Sequence, residues 1–384
     1  MTCVNTTSLP YLITYDPANP QNVRIKPNVG VQAKLTDSRD FYYIQFSNDQ
    51  SFKVFDIKEL IPEDIFNKIK DIESNLFLVL DNGLEYFYSC ADSIYQDIVM
   101  KHNIPAEKII FLSAVPTMHE YVSSCAKKYN LPQIKVDWFS LFESTGQDAA
   151  RQSQNVKTLE KKQKYARAFL NLNRRWRMHR PLMFTLLKDK GLIDNGYISF
   201  APADDNTNWN TAYSRMLSHY AGHKNIKPIL DRNADVINTP PLYLDTNDLV
   251  TNRAMHEVSI NDYYSQTYFS LINETTYHEG VPFLSEKIFK AIAMGHPFVM
   301  ATAPNSLQYL RELGYQTYHP YIDETYDTIL DDGDRMIAIV NEVERLCKMD
   351  KSQFKSWRAS VFKIAQKNKL TLVRKQKITR AMNY

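Results

Sequence analysis

YFSLINETTYHEGVPFLSEKIFKAIAMGHPFVMATAPNSLQYLREL, residues 268–313, packs strand, loop, helix, strand and helix signals into one stretch. The apolar run Tyr268-Phe269-Ser270-Leu271-Ile272 reads as a buried strand, followed by a polar loop that holds Asn273 and Glu274. Ser285 stands at a helix N-cap, with Glu286 and Lys287 in the first turn. Ile288, Phe289, Ile292 and Ala293 give that helix an apolar face, and Gly295 fits the left-handed position that stops it. Pro297-Phe298-Val299-Met300 is the next strand. Asn305 is expected to cap another helix, with Leu307, Leu310 and Leu313 inward and Gly314 ending it. Strands alternating with helices predict a parallel α/β sheet.

The same alternation appears twice elsewhere. Leu76–Leu80, Lys108–Ser113 and Gln133–Val136 read as buried strands, with helices over 91–102 and 118–129 between them. Phe169–Leu172 and Tyr197–Phe200 read as strands flanking a helix over 177–190, with Pro181 near its start. Alternation at Val23–Lys26, Tyr42–Phe46 and Phe52–Phe55 makes the N-terminal segment strand-rich. Residues 144–164 are polar and almost free of large apolar side chains, which marks a linker, while 201–262 shows no clear elements. The predicted organisation is an α/β domain over 1–150, a linker over 151–164, a second α/β domain over 165–352 and a basic helix or tail over 353–384. That last helix is expected, from about Gln353, to pack back on the N-terminal domain.

Composition narrows the chemistry. Among 384 residues only 10 are Gly, and neither GxGxxG nor a Walker loop occurs. Any phosphate must be held by helix ends and side chains. The formal net charge of +3 is too mild to mark a nucleic-acid binder by itself. The four cysteines are scattered, without a CxxC pair, so a disulfide framework or zinc site is not expected. The N-terminal stretch shows no basic-then-apolar leader, and no segment reaches the ~18 apolar residues of a membrane span, which reads as a cytoplasmic protein.

Position then suggests function. A helix N-terminus carries unpaired N–H groups and partial positive charge, so it attracts anions, and Lys287 adds a full charge. Glu286 suits a pair of sugar hydroxyls. Together they match a ribose diphosphate. The stretch NLNRRWRMHR, residues 171–180, adds cations beyond another strand end. Asp332-Gly333-Asp334 spells DxD but sits just before a helix, where capping is expected, so no metal is predicted.

Phe269, Glu274-Thr275, Phe283-Leu284-Ser285-Glu286-Lys287, Gly295 and Pro297-Phe298-Val299 resemble the donor-binding motif of GT-B glycosyltransferases, the α-1,3-fucosyltransferase type above all. The Asn-Arg-Arg-x-Arg-x-His-Arg stretch over 173–180 is similar to one in uncharacterised phage proteins. The resemblance covers about a third of the chain and departs from the pattern at Thr275, where the family has Asn. It implies two Rossmann-like doubly wound domains facing a cleft. It also implies that Glu286 holds the ribose, Lys287 the diphosphate, and one of Arg174, Arg175 or Arg177 neutralises it, with Glu274 and Ser285 completing the donor site. No cofactor is implied beyond a UDP- or GDP-linked sugar as co-substrate. Glu279 and Glu286 are one residue too close for the Glu-x7-Glu of retaining enzymes, which favours inversion.

Inversion needs a base for the acceptor hydroxyl. Asp81, at the end of a buried strand, ranks first, ahead of Glu85 and His119. From Lys363 to Arg380 the chain is basic without an acid, and Lys367, Arg374 and Lys375 are candidate contacts to a polyanionic acceptor. The acceptor expected is a hydroxymethylated base in double-stranded phage DNA. A glycan or lipopolysaccharide acceptor is the alternative, and a non-catalytic nucleic-acid-binding or virion protein is the alternative outside enzymes.

Overall fold

A computed structural model describes residues 11–15, 23–27, 40–45, 56–83, 89–153, 166–173, 177–200, 209–239, 242, 244, 263–278 and 280–375. The chain divides into two compact units, Met1–Ser144 with Lys375–Tyr384, and Thr145–Arg374.

In the first unit, β1 (Tyr11–Tyr15) and β2 (Val23–Pro27) form an antiparallel pair. A parallel sheet follows, with β3 (Asp40–Gln45), β4 (Leu76–Asn82), β5 (Ile109–Ser113) and β6 (Lys135–Trp138) side by side in that order. The continuous apolar runs are buried as parallel strands require, with Leu78, Leu80, Ile109 and Phe111 inaccessible to solvent. The helix Met118–Tyr129 falls where its periodicity places it, and Asn130 ends it in the left-handed region at φ 55°. The helix expected over 91–102 begins at Cys90 and then widens into π geometry over Ile94–Met100.

The second unit has four parallel strands, β7 (Phe169–Asn173), β8 (Gly196–Phe200), β9 (Phe269–Asn273) and β10 (Phe298–Ala301). Their order is β10-β9-β7-β8. The chain moves outward from β7 to β8, then crosses back to β9 on the far side of β7. That reversal is a topological switch point, and it lies between β7 and β9. Both units are thus Rossmann-like α/β sheets, the class the alternating pattern predicts.

Several sequence expectations need revision. Residues 144–153, read as the start of a linker, belong to the helix Leu141–Ser153, in which Ala149 and Ala150 are buried. Small apolar side chains supply that face, so a search for large ones overlooks it. The unit boundary falls at Ser144, earlier than the expected 150. Residues 154–165, which hold most of the expected 151–164 linker, lie outside the described residues. The helix Lys351–Arg374 belongs to the second unit, not the first. Trp357, Val361, Ala365 and Leu372 form its buried face. Trp357 Nε1 donates to the Tyr321 carbonyl at 3.0 Å, and the Asn368 amide bonds the backbone of Gln316 in both directions, each at 2.8 Å. Within 201–262 the structure places helices at Trp209–His219 and Lys227–Arg232. The strand expected over Phe52–Phe55 lies outside the described residues. No helix among the described residues is long and apolar enough to cross a membrane.

One core residue gives the fold a pH signature. His296 is buried, its Nε2 donating to the Thr267 carbonyl at 3.0 Å and its Nδ1 accepting from the Ser270 hydroxyl at 2.8 Å. Burial pushes its pKa down to about 4. A histidine near 6.5 in the unfolded chain gains its proton there first, so acid favours unfolding. Stability is expected to fall by up to about 3 kcal/mol as pH drops from about 6.5 toward 4 through this one group. Urea titrations at pH 7, 5.5 and 4.5 on the native protein and on His296→Gln measure it. An identical pH slope in the variant contradicts the assignment.

Candidate functional site

At the switch point β7 and β9 stop pairing early. Their ladder holds only Phe169 with Phe269 and Leu170 with Ser270. Beyond it asparagine side chains bridge the widening gap. Asn171 Nδ2 donates to the Leu271 carbonyl at 2.6 Å, Asn173 Nδ2 to Asn171 Oδ1 at 2.6 Å, and Asn273 Nδ2 to Asn173 Oδ1 at 2.9 Å. All three residues are buried. Buried amides need partners, and here most of them find one another or the backbone, while Asn273 Oδ1 has none among the described residues. In open α/β sheets this crevice, outside the strand carboxyl ends at the reversal, is where ligands bind.

Two helices start beside it. Helix Glu286–Ala293 follows β9, and Ser285 caps it as expected, its hydroxyl accepting from Lys287 N at 3.3 Å. Gly295 adopts φ +62° after the helix, again as expected, a left-handed backbone in which any side chain would be strained. Helix His179–Asp189 follows β7. Each start adds partial positive charge to the crevice.

Glu274 is fully buried. Its carboxylate accepts from Ser285 N at 3.2 Å, from Thr275 N at 3.1 Å and from the Ser285 hydroxyl. Burial pushes its pKa up, against the opposing pull of Lys287. Lys287 Nζ reaches Glu286 Oε1 at 2.6 Å, Ser285 Oγ at 3.1 Å and Thr275 Oγ1 at 3.3 Å. Its side chain is only 20% exposed, so the ammonium stays against the protein. Burial would raise the Glu286 pKa, but the charge and hydrogen bond of Lys287, a backbone N–H and the charge of Arg180 together outweigh it and hold the carboxyl below its ordinary value.

Arg180, in the first turn of the helix after β7, belongs to the cationic stretch read from the sequence but is not among the arginines assigned to the diphosphate. It is 3% exposed, its guanidinium lies near the Asn273 carbonyl (Nη2 at 3.5 Å), and its charge is felt at Glu286. Beside it His179 is buried and bonds the Glu274 carbonyl through Nε2 at 3.0 Å. Burial first, then the charge of Arg180, drives its pKa well down, so the ring is neutral. The signal for Arg180 was Pro181 next to it, which places residue 180 in the first helical turn.

Of the arginines expected to neutralise a diphosphate, Arg177 is half-buried just before helix His179–Asp189, and Arg174 and Arg175 lie outside the described residues. The candidate bases separate clearly. Asp81 is wholly buried, and its Oδ1 accepts from Gly83 N at 2.6 Å. It fixes the turn after β4 and offers no open carboxylate, which corrects its first rank. Glu85 lies outside the described residues. His119, in the first turn of helix Met118–Tyr129, has a side chain 65% exposed.

Of the basic residues expected to meet a polyanion, Lys367 and Arg374 are exposed, and Lys363 shares their helix face. Lys375 instead pairs with the buried Glu143 carboxylate, which removes it from that set. The DxD acids, Asp332 and Asp334, lie in the first turn of a helix and not before it as expected, and the cap is the preceding acid. Asp331 is the N-cap of helix Asp332–Cys347 and accepts from Asp334 N at 2.8 Å.

No family model and no curated protein matches the chain. Among solved structures it is similar to the UDP-forming α,α-trehalose-phosphate synthase of Burkholderia xenovorans, at 10% identity and TM-score 0.45, covering 89% of this chain and 73% of that one. The corresponding synthase of Burkholderia vietnamiensis gives 12% identity and TM-score 0.45, covering 89% and 74%. The N-terminal domain of Candida albicans trehalose-6-phosphate phosphatase gives 10% identity and TM-score 0.41, covering 87% and 68%.

Proposed function

We propose that the chain is a glycosyltransferase of the GT-B class that transfers a sugar from a nucleoside-diphospho-sugar to an acceptor hydroxyl. One observation carries the reading: two cations, Lys287 and the buried Arg180, stand at two helix starts beside the crevice where β7 and β9 separate. A diphosphate placed there meets both charges and the positive ends of two helices. Glu286, displaced from Lys287 by the incoming phosphate, is free to accept the ribose hydroxyls. Departure of the nucleoside diphosphate is then stabilised by groups already in position, without a metal in that role. The acceptor hydroxyl loses its proton to a general base. His119 is the candidate retained for that step because its imidazole is open to solvent.

The acceptor proposed is a hydroxymethylated base in DNA. The exposed stripe of Lys363, Lys367 and Arg374 along helix Lys351–Arg374 supports it, since three cations on one helix face suit a phosphate backbone. The test has two stages. Thermal shift against UDP-, GDP- and CMP-sugars is expected to show one nucleotide family raising Tm. Transfer assays then compare hydroxymethylated DNA, plain DNA and lipopolysaccharide. The proposal expects turnover on modified DNA alone, with a KM that rises steeply with salt. A sugar-nucleotide response followed by transfer only to lipopolysaccharide overturns the acceptor. No response to any nucleotide overturns the enzyme reading.

A further inference from the structure

A second cluster of chemistry lies on the same unit, assembled from segments far apart in sequence. His219 ends helix Trp209–His219, His278 sits in the loop after β9, and Asp332 opens helix Asp332–Cys347. One donor atom from each lies within 4.8 Å of the other two. His219 Nε2 is 2.8 Å from Asp332 Oδ2, and His278 Nδ1 meets the same oxygen. Close by, His278 Nε2 is buried without a hydrogen-bond partner, as is Thr276 Oγ1 on the same loop, and the buried Tyr220 hydroxyl lies against the Asp332 carboxylate. Orphaned buried polar atoms are rare in folded proteins and mark places where an ion or water belongs.

We propose that His219, His278 and Asp332 bind a divalent transition-metal ion, zinc by preference. Two imidazoles and one carboxylate are a donor set that suits zinc and its neighbours in the first row rather than calcium or magnesium. Zinc bonds of about 2.0–2.2 Å set tetrahedral donors about 3.3 Å apart. His219 Nε2 and Asp332 Oδ2 are closer than that, so the ion needs this pair to spread by about half an ångström. His219, 41% exposed at the end of its helix, has room to move that far. Water completes the coordination.

The neighbouring cluster of His223, Asp331 and Asp334 shows by contrast what a site without metal looks like. His223 Nδ1 accepts from Asn225 N at 3.3 Å and from Ile226 N at 3.2 Å. That fixes the proton on Nε2, which donates to Asp331 Oδ1 at 2.8 Å. A protonated nitrogen is not a ligand. Asp331 is occupied as a helix cap, and Asp334 Oδ1 accepts from Asn225 Nδ2 at 2.8 Å. His219 Nε2 and His278 Nδ1 also donate to a carboxylate oxygen, but no backbone N–H fixes either tautomer among the described hydrogen bonds, so an ion can displace those protons.

The ion has a structural consequence. His278 lies in the loop that begins with Glu274 and ends at Ser285. Metal at His278 ties that loop to two helices and so holds the start of helix Glu286–Ala293 in place. The assignment does not rest on the glycosyltransferase reading, and its test needs no substrate.

Tag-free protein, dialysed against chelator and then against buffer, is titrated with Co2+ and with Zn2+. Saturation near one equivalent per chain is expected, with Co2+ bands in the visible spectrum and a higher Tm in either metal. His219→Ala, an exposed substitution, and His278→Ala should each weaken binding by at least the roughly 10–100-fold that losing even an outer-shell partner costs. His223→Ala should leave it unchanged. Absence of saturable binding to the native protein overturns the site, whatever the variants do. So does native affinity in both His219→Ala and His278→Ala, or loss of binding only in His223→Ala.

Discussion

Lys287→Ala abolishes sugar transfer while the protein stays folded. The ammonium is the one full positive charge in the first turn of helix Glu286–Ala293. Removing a preorganised donor to a departing oxyanion costs about 10²–10³-fold in kcat. Affinity for the nucleoside diphosphate should fall as well, because the same charge meets the ground-state phosphates. The helix cap survives, since Ser285 Oγ accepts from the backbone N–H of residue 287 as well as from its side chain, and the backbone bond remains in the alanine variant. Circular dichroism should therefore be unchanged. Lys287→Arg, which keeps the charge but not the reach, should recover part of the loss. Full turnover in the alanine variant removes Lys287 from the site.

Glu274→Ala acts on stability instead. It leaves Ser285 N, Thr275 N and the Ser285 hydroxyl without their buried acceptor. Lys287 also loses a nearby opposite charge. Stranding buried polar groups in this way costs about 3–5 kcal/mol, a large share of a domain's stability. Urea unfolding should show a midpoint shift with little change in slope. Glu274→Gln, of the same size, should recover much of the loss, because its carbonyl still accepts from the backbone. An alanine variant as stable as the native protein would show that the carboxylate is not the hub of this loop.

The parts of the fold written in local pattern were legible in the sequence. Apolar runs such as Leu76–Leu80 announce buried parallel strands, and Ser285 and Gly295 bracket their helix as capping chemistry requires. Tertiary partners were not legible. Asn305 was the expected cap of the helix after β10, yet it adopts φ 63° and makes no side-chain cap bond. The Asp327 carboxylate does that work from the loop that follows, accepting from Leu307 N at 3.0 Å and Gln308 N at 3.3 Å. Nothing local to Asn305 reveals an acceptor more than twenty residues downstream.

The candidate site divides the same way. Ser285, Glu286 and Lys287 were visible because they are contiguous at a helix start. Arg180 and the Asn171–Asn173–Asn273 chain matter only once β7 and β9 are known to be neighbours that separate. Asp81 was ranked by its place at a strand end, but position alone does not say whether a carboxylate is open or, as here, occupied by its own turn. His219 and His278 carry no spacing signal, since the fold brings them to Asp332 across 113 and 54 residues.

The most direct measurement is a crystal structure of the protein with a nucleoside diphosphate from the family that raises its Tm. The account predicts diphosphate density at the first turn of helix Glu286–Ala293, with Lys287 Nζ and the Arg180 guanidinium both within hydrogen-bonding reach of phosphate oxygens. Density for the nucleotide anywhere else, with Lys287 still paired to Glu286, contradicts it.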